Sequence, residues 1–371
     1  MLQRLYIHNF RCLENFDLSL KEMSSALLIG KNGAGKSTTG FVLEVLQCIS
    51  RGINRVGQLI KHSDFSWGRS DVPMRFEIEV LLDDIVYRYV LVLELPEGFK
   101  EVRVSEEQLL AGGVQVYYRS IAQVTLQRNT KDIESKFLLD WHLIALPVIQ
   151  VQSETDPLHI FKTWLSRMLI LAPVPSRMSG QSSSETLEPK KDGSNFGDWF
   201  SGVLGSYPSA YTQIYNYLRN VMPDVKDIQN PLIGKNFKSM NICFEVDKAK
   251  LRLEFDDLSD GEKCFFLCAL ALAASKEYGP LFCFWDEPDN YLSLGEVGQF
   301  IIELQSVFEN GSQVLITSHH QEAIRRFSHE NTLVLLRKSH LAPTEVRKLS
   351  DIYETGELTG DLVDALLCGE I

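Results

Sequence analysis

The spacing of apolar and polar residues changes several times along the chain, and each change predicts an element. Met1 to Ile7 alternates like a strand, and the apolar run Ala26-Leu27-Leu28-Ile29 breaks at Gly30 as a short buried strand does. From Lys36 the spacing turns helical, through Phe41, Leu43, Val45 and Leu46. Residues 54–71 are polar, glycine-containing and aperiodic, which predicts a loop. Between 74 and 128 the period falls to two: Arg75–Val80 and Val86–Leu91 alternate around Asp83-Asp84, and Gly112-Gly113 precedes Val114–Tyr118. That pattern predicts an antiparallel β lobe built from hairpins.

The second half reads differently. Residues 134–172 mix helix with two short apolar strands, Pro147–Val151 and Met168–Ala172. The stretch 174–195, with Ser182-Ser183-Ser184 and Lys190-Lys191, has the composition of a mobile loop or linker. Residues 208–222 place Tyr211, Ile214, Tyr215 and Leu218 on one helical face, and from 237 two strands lead to Leu258. Then helix and strand alternate: helix 261–277, strand 281–286, helix 294–309, strand 313–317, helix 320–327 and strand 332–337. Such alternation predicts a largely parallel sheet covered by helices. No internal repeat is visible.

Composition narrows the class without naming a chemistry. The 371 residues are 44% hydrophobic and 23% charged, an ordinary globular balance that supports a sizeable core. The net charge of −12 does not indicate nucleic acid, although it says nothing about a local basic groove. Seven scattered cysteines form no CxxC pair and no zinc spacing, so they read as small core residues in a reducing cytosol. Neither a signal peptide nor about 18 consecutive apolar residues is found, so a cytoplasmic location with no membrane partner is expected.

Three stretches carry candidate chemistry. Gly30-Lys31-Asn32-Gly33-Ala34-Gly35-Lys36-Ser37 fits the phosphate-loop pattern G-x-x-x-x-G-K-[ST] at every fixed position. Glycines let the loop wrap a phosphate with backbone N–H groups, and the following helix aims its positive end at the same anion. The expected ATP contacts are Gly30, Asn32, Gly33, Ala34, Gly35, Lys36, Ser37 and Thr38, with Lys36 on the β- and γ-phosphates and Ser37 on Mg²⁺. A chance glycine-rich turn is the alternative, but the strand before and helix after supply the required context. Next, Leu281–Glu287 is an apolar strand ending in two acids. Asp286 is the expected Mg²⁺ partner and Glu287 the residue that orients the attacking water. Thr317-Ser318-His319-His320 ends the following strand, where a histidine can contact a γ-phosphate; spacing alone does not choose between the two.

Leu258-Ser259-Asp260-Gly261-Glu262 precedes a helix and reads, in isolation, as a helix cap. In company with the other motifs it resembles the LSGGE signature of ABC-type ATPases of the SMC, RecF and OLD group. Ile7-His8-Asn9-Phe10-Arg11 is similar to that group's N-terminal "NFR" segment, which lies near the nucleotide; Asp286-Glu287-Pro288 matches its second nucleotide motif; His319 aligns with its switch histidine. Asp192-Gly193-Ser194-Asn195-Phe196 resembles the "DGsNL" segment of stand-alone bacterial AAA-family ATPases of the antiphage-defence type. Two departures stand out. No glutamine follows Met168–Ala172 where a Q-loop is expected, Gln181 being nearby, and Ser293 replaces the usual D-loop aspartate.

The resemblance implies an α/β fold: a P-loop NTPase, ABC-type ATPase domain with an antiparallel β lobe and a helical insertion. The implied organisation is residues 1–172 for the first part of the ATPase domain, 173–236 for the loop and helical insertion, 237–338 for the second part, and 339–371 for a tail. It also implies ATP and Mg²⁺ as cofactors, Lys36, Glu287 and His319 as catalytic residues, Ser37 and Asp286 as metal ligands, and Arg11, Ser259, Gly261 and Glu262 as nucleotide contacts. In such proteins ATP is shared head to tail between two subunits, so a homodimer or higher even oligomer is expected. More than half the chain lies between Lys36 and Leu258 without heptad arms, and the stretch after His319 is too short for an OLD-type nuclease. The leading expectation is therefore an ATP-gated switch or scaffold in antiphage defence, with a separate nuclease or toxin as effector. A RecF-like DNA repair ATPase is the alternative, and a transporter ATPase subunit a weaker one.

Overall fold

The computed structural model describes residues 1–127, 135–308 and 311–354. Outside these lie the end of the expected lobe at 128, the end of the expected helix at 309, and residues 355–371 of the expected tail. The chain divides into two compact units, Met1–Met168 with Ser328–Ile371, and Leu169–Phe327.

The first unit holds an eight-stranded antiparallel sheet, in the order Phe16–Ser19, Leu2–His8, Met74–Leu82, Ile85–Glu94, Arg103–Ala111, Val114–Ser120, Gln123–Leu126 and Ser135–Leu138. Two of its hairpins close through two-residue turns whose residues both have positive φ: Asp83 at 48° and Asp84 at 63°, Gly112 at 57° and Gly113 at 79°. Such turns match the twist of the strands they join. On the sheet's inner face, fully buried Glu107 accepts hydrogen bonds from the hydroxyls of Tyr89 (3.1 Å) and Tyr117 (2.8 Å) and from the N–H groups of Ala145 and Leu146. Buried Arg119 sits 3.7 Å from it and donates to the carbonyls of Ile121, Asp140 and Leu143. Every charged atom of this pair is answered, which is what keeps such a pair tolerable in a core. In the same unit strand Ser25–Gly30 runs parallel to Thr332–Leu336, which pairs antiparallel with Glu345–Lys348. Helix Lys36–Ser50 packs against helix Pro157–Arg167, and Gln47 and Arg51 donate to the carbonyls of Met168 and Ser166.

The second unit is built on three parallel strands, in the order Leu169–Leu171, Phe282–Trp285 and Gln313–Thr317. Helix Asp260–Tyr278 is buried on nearly every face, as its Phe, Leu and Ala content requires. Cys264, Cys268 and Cys283 are buried free thiols, and burial pushes Cys264 up to about 12 and the other two higher still. They are packing groups with no reactive thiolate. Helices Phe196–Ser206 and Ala210–Val221 and the antiparallel strands Val225–Gln229, Asn241–Val246 and Ala249–Glu254 complete the unit. No helix among the described residues is long and apolar enough to cross a membrane.

Three local expectations fail. Residues 54–71 carry one helical turn, Val56–Leu59, and two 3-10 turns, His62–Asp64 and Ser66–Gly68. Pro147–Val151 is no strand: Ala145–Val148 is a helical turn begun by the Glu107 carboxylate, which takes its first N–H groups. The 174–195 stretch is bonded into its unit. Ala172 and Val174 donate to the carbonyls of Lys191 and Asp192 (2.8 and 3.0 Å), and Asp198 accepts from the N–H groups of both Ser183 and Ser184 at 3.0 Å. Its polar composition serves these bonds.

That stretch lies directly on helix Phe196–Ser206, at two glycines. A Cβ on Gly197 would meet the Gln181 carbonyl oxygen at 2.2 Å, and one on Gly202 would meet that of Thr186 at 2.2 Å. Ordinarily Gly→Ala inside a helix gains about 1 kcal/mol. Here the overlap reverses the sign, and Gly202→Ala should lower unfolding stability by about 2 kcal/mol in a urea titration. A stabilised variant would show that the loop does not hold the helix.

Candidate nucleotide site

The phosphate-loop sequence lies in the first unit. Gly30, Gly33 and Gly35 have φ of 153°, 80° and 105°. A Cβ on Gly30 would meet the Leu335 carbonyl oxygen at 2.6 Å, and one on Gly35 would meet Leu13 and Cys12 at 2.9 and 3.0 Å. Both conformation and space therefore demand glycine. The loop ends in helix Lys36–Ser50, whose N-terminus receives no side-chain cap and has no acid in its first turn. Such an end is open to an anion. Asn32, Gly33 and Ser37 are exposed, Thr38 is half-buried, and Ala34 and Gly35 are buried. Lys36 is only 5% exposed, and its ammonium donates to the Gly30 carbonyl at 2.7 Å and more weakly to that of Lys31 at 3.4 Å. The lysine thus lies folded across its own loop.

Arg11 belongs to a second turn of the same unit. Asn9 and Arg11 both have positive φ, 53° and 51°. Asn9 earns its conformation by donating to the carbonyls of Arg69 and Val72. The Arg11 guanidinium bonds Asp64 at 2.9 Å and stacks 4.2 Å from the centre of the Phe41 ring, on the helix that follows the loop. One carboxylate and one ring already orient it.

Sequence reasoning missed a strap over the phosphate loop, formed by residues 337–344. Arg337 donates to the Gly33 carbonyl at 2.8 Å and to those of His340 and Ala342. Thr344 donates its hydroxyl to the Ala34 carbonyl at 2.8 Å and its N–H to Cys12. The strap thus ties two consecutive carbonyls of the loop, those of Gly33 and Ala34. An arginine just after strand Thr332–Leu336 carries no motif, so no local signal was available.

The acidic strand, signature and histidines lie in the second unit. Asp286 continues the pairing of its strand by donating its N–H to Leu171 at 2.7 Å. The Thr317 hydroxyl donates to Asp286 Oδ1 at 2.7 Å and accepts the Glu287 N–H at 2.9 Å, so one side chain from the neighbouring strand sets both acids. Glu287 has a φ of 48°, a conformation uncommon outside glycine and asparagine and frequent at functional sites. Its two oxygens are 3.2 Å from His319 Nε2 and 2.7 Å from Asn290 Nδ2. His320 instead caps helix Gln321–Arg326, its Nδ1 accepting the Glu322 N–H at 3.3 Å. Behind them, buried Asp289 accepts the Ser318 hydroxyl; burial raises its carboxyl above the usual range, and that bond opposes the rise.

Ser259 caps helix Asp260–Tyr278 in a capping box: its hydroxyl donates to Glu262 Oε2 at 2.7 Å, and its N–H donates to the same oxygen at 2.8 Å. Gly261 lies against the loop after the acidic strand, where a Cβ would meet the Tyr291 carbonyl oxygen at 2.9 Å. Ser293, at the usual D-loop aspartate position, likewise caps its helix and donates to Glu296 at 2.6 Å. Gln181 lies in the short strand Gln181–Ser182, paired with Ser239.

A family model described as an AAA ATPase domain matches residues 1–88, and an AAA domain model named for the AbiEii toxin and the type IV TA system matches residues 149–325. Over 121 residues the chain is 25% identical to the peptidoglycan transport ATP-binding protein YejF of Agrobacterium fabrum. That match covers 33% of this chain and only 20% of the relative. An SMC head bound to the C-winged helix domain of ScpA superposes with a TM-score of 0.56 at 13% identity, over 95% of this chain and 99% of that one. An SMC head with an extended coiled coil, bound to the C-terminal domain of ScpA derived from Pyrococcus furiosus, gives 0.52 at 11%, over 96% and 98%. At such identity the likeness is one of fold. Two stretches of the chain thus match AAA ATPase-domain models, and the chain has the α/β fold of SMC head domains.

The strap yields a direct expectation. Thr344→Val removes the hydroxyl that holds the Ala34 carbonyl and should cost about 1 kcal/mol of nucleotide binding, about fivefold in Kd. Titration with a fluorescent ATP analogue measures it; an unchanged Kd would remove the strap from the loop's support.

Proposed function

We propose that this chain binds ATP with Mg²⁺, hydrolyses it, and uses the cycle to open and close a head-to-tail dimer. The observation that carries the reading is the uncapped helix after three positive-φ glycines, with Lys36 folded onto the loop. On binding, Lys36 would exchange the Gly30 carbonyl for the β- and γ-phosphates, and Ser37 and Asp286 are the residues that would hold Mg²⁺, which would supply charge to offset the phosphates. Glu287 orients the water that attacks the γ-phosphorus as the bond to the ADP oxygen breaks. His319, which lies 3.2 Å from Glu287, reports the loss of the γ-phosphate.

Ser259 and Gly261 act on the nucleotide of a second copy. In the free chain the Ser259 hydroxyl is occupied by Glu262, so capping a γ-phosphate requires that bond to be exchanged. Dimer closure thereby depends on ATP, which is the property of a switch. We further infer a cytoplasmic role in antiphage defence, with a separate nuclease or toxin as effector. The toxin–antitoxin name carried by the 149–325 match supports that setting, and the SMC heads, whose titles describe bound ScpA domains, support a partner-coupled head.

Glu287→Gln separates binding from hydrolysis. The variant should bind ATP as the parent does, turn over at least about 100-fold more slowly, and elute as a dimer from a sizing column in ATP and Mg²⁺. Parental turnover, or a monomer under those conditions, would count against the hydrolytic and dimer parts respectively.

A further inference from the structure

The first unit also contains an open cavity of about 430 Å³, whose lining includes none of the phosphate-loop residues. Its walls bring together Arg55, Lys61, His62 and Lys100, with Glu101 as the one carboxylate. Arg55 and Glu101 answer each other at 2.8 Å. Among the described residues, no carboxylate lies within ion-pair distance of Lys61 or Lys100, and the His62 ring, 6.4 Å from that of Phe65, has no side-chain hydrogen bond, only its carbonyl accepting the Phe65 N–H. The floor is apolar, from Ile60 at 2% and Val102 at 3% exposure.

Neighbouring cations repel one another, and of these Arg55 has its carboxylate in Glu101 while the Lys61 and Lys100 ammonium groups have none among the described residues. In a chain of net charge −12 their concentration in one concave site needs a separate cause. An apolar floor excludes water from one side, and a concave wall of one sign focuses the field on whatever enters. Lysines act on phosphate as point charges, and a guanidinium adds a fork of donors. Carboxylates of an acidic peptide are spread along a chain, one charge per residue; an oligophosphate packs several charges into a volume of this size.

We propose that this cavity is a second anion site, distinct from the phosphate loop, that binds an oligophosphate through Lys61, Lys100 and His62. The phosphates belong either to a free polyphosphate ligand such as a nucleotide or to the backbone of a single-stranded nucleic acid. Both present the same chemistry, and the experiment separates them.

The full chain carrying Lys36→Ala, to silence the phosphate loop, is titrated with sodium tripolyphosphate by calorimetry and with fluorescein-labelled dT12 by anisotropy. The same titrations follow in a Lys61→Gln/Lys100→Gln version, two exposed substitutions whose folding is checked by circular dichroism. One probe should bind the parent and weaken about tenfold in the double variant. If dT12 is that probe, the slope of log K against log salt should also become shallower by about 1.4. Tripolyphosphate binding alone assigns a free ligand; dT12 binding with the salt signature assigns nucleic acid. Should neither probe bind, or should both variants bind alike, the proposal is overturned.

Discussion

A triphosphate can be held by backbone N–H groups only where the chain bends in ways a β-carbon forbids, and that constraint organises the first unit. Gly30 is pressed against the carbonyl of Leu335, and Gly35 against Leu13 and Cys12, so the loop's shape is set by one strand and one turn beside it. Arg337 and Thr344 then hold the Gly33 and Ala34 carbonyls. Lys36, with its ammonium on the Gly30 carbonyl, closes the loop on itself.

The second unit applies a different device: hydroxyls that hold carboxylates. Thr317 sets Asp286 and the Glu287 backbone together, Ser318 holds Asp289, and Ser259 and Ser293 each donate to the glutamate three residues on. A hydroxyl can exchange one acceptor for another at little net cost, since each bond is worth about 1 kcal/mol. Acids held this way are fixed in place yet able to pass to a metal, a water or a phosphate.

The parts of this that were legible in sequence share a feature: their determinants are local. The phosphate loop, the acidic strand and the two-residue hairpins at Asp83-Asp84 and Gly112-Gly113 are written in adjacent residues whose conformational needs are particular. The choice of His319 over His320 came only through resemblance; in the structure one meets Glu287 and the other caps a helix. What stayed hidden depends on distant partners. Arg337 reaches a carbonyl 304 positions away, and the 174–195 stretch reads as a linker because its bonds to Ala172 and Asp198 leave no periodic trace. Pro147–Val151 looks like a strand until the Glu107 carboxylate, from the β lobe, takes up the N–H groups that begin a helical turn.

Equilibrium dialysis of radiolabelled ATP against the folded wild-type chain in magnesium buffer tests the central claim most directly. The account predicts one molecule of ATP per chain, displaced by unlabelled ATP and ADP. Retention no greater than that of an unrelated protein of equal size would contradict it.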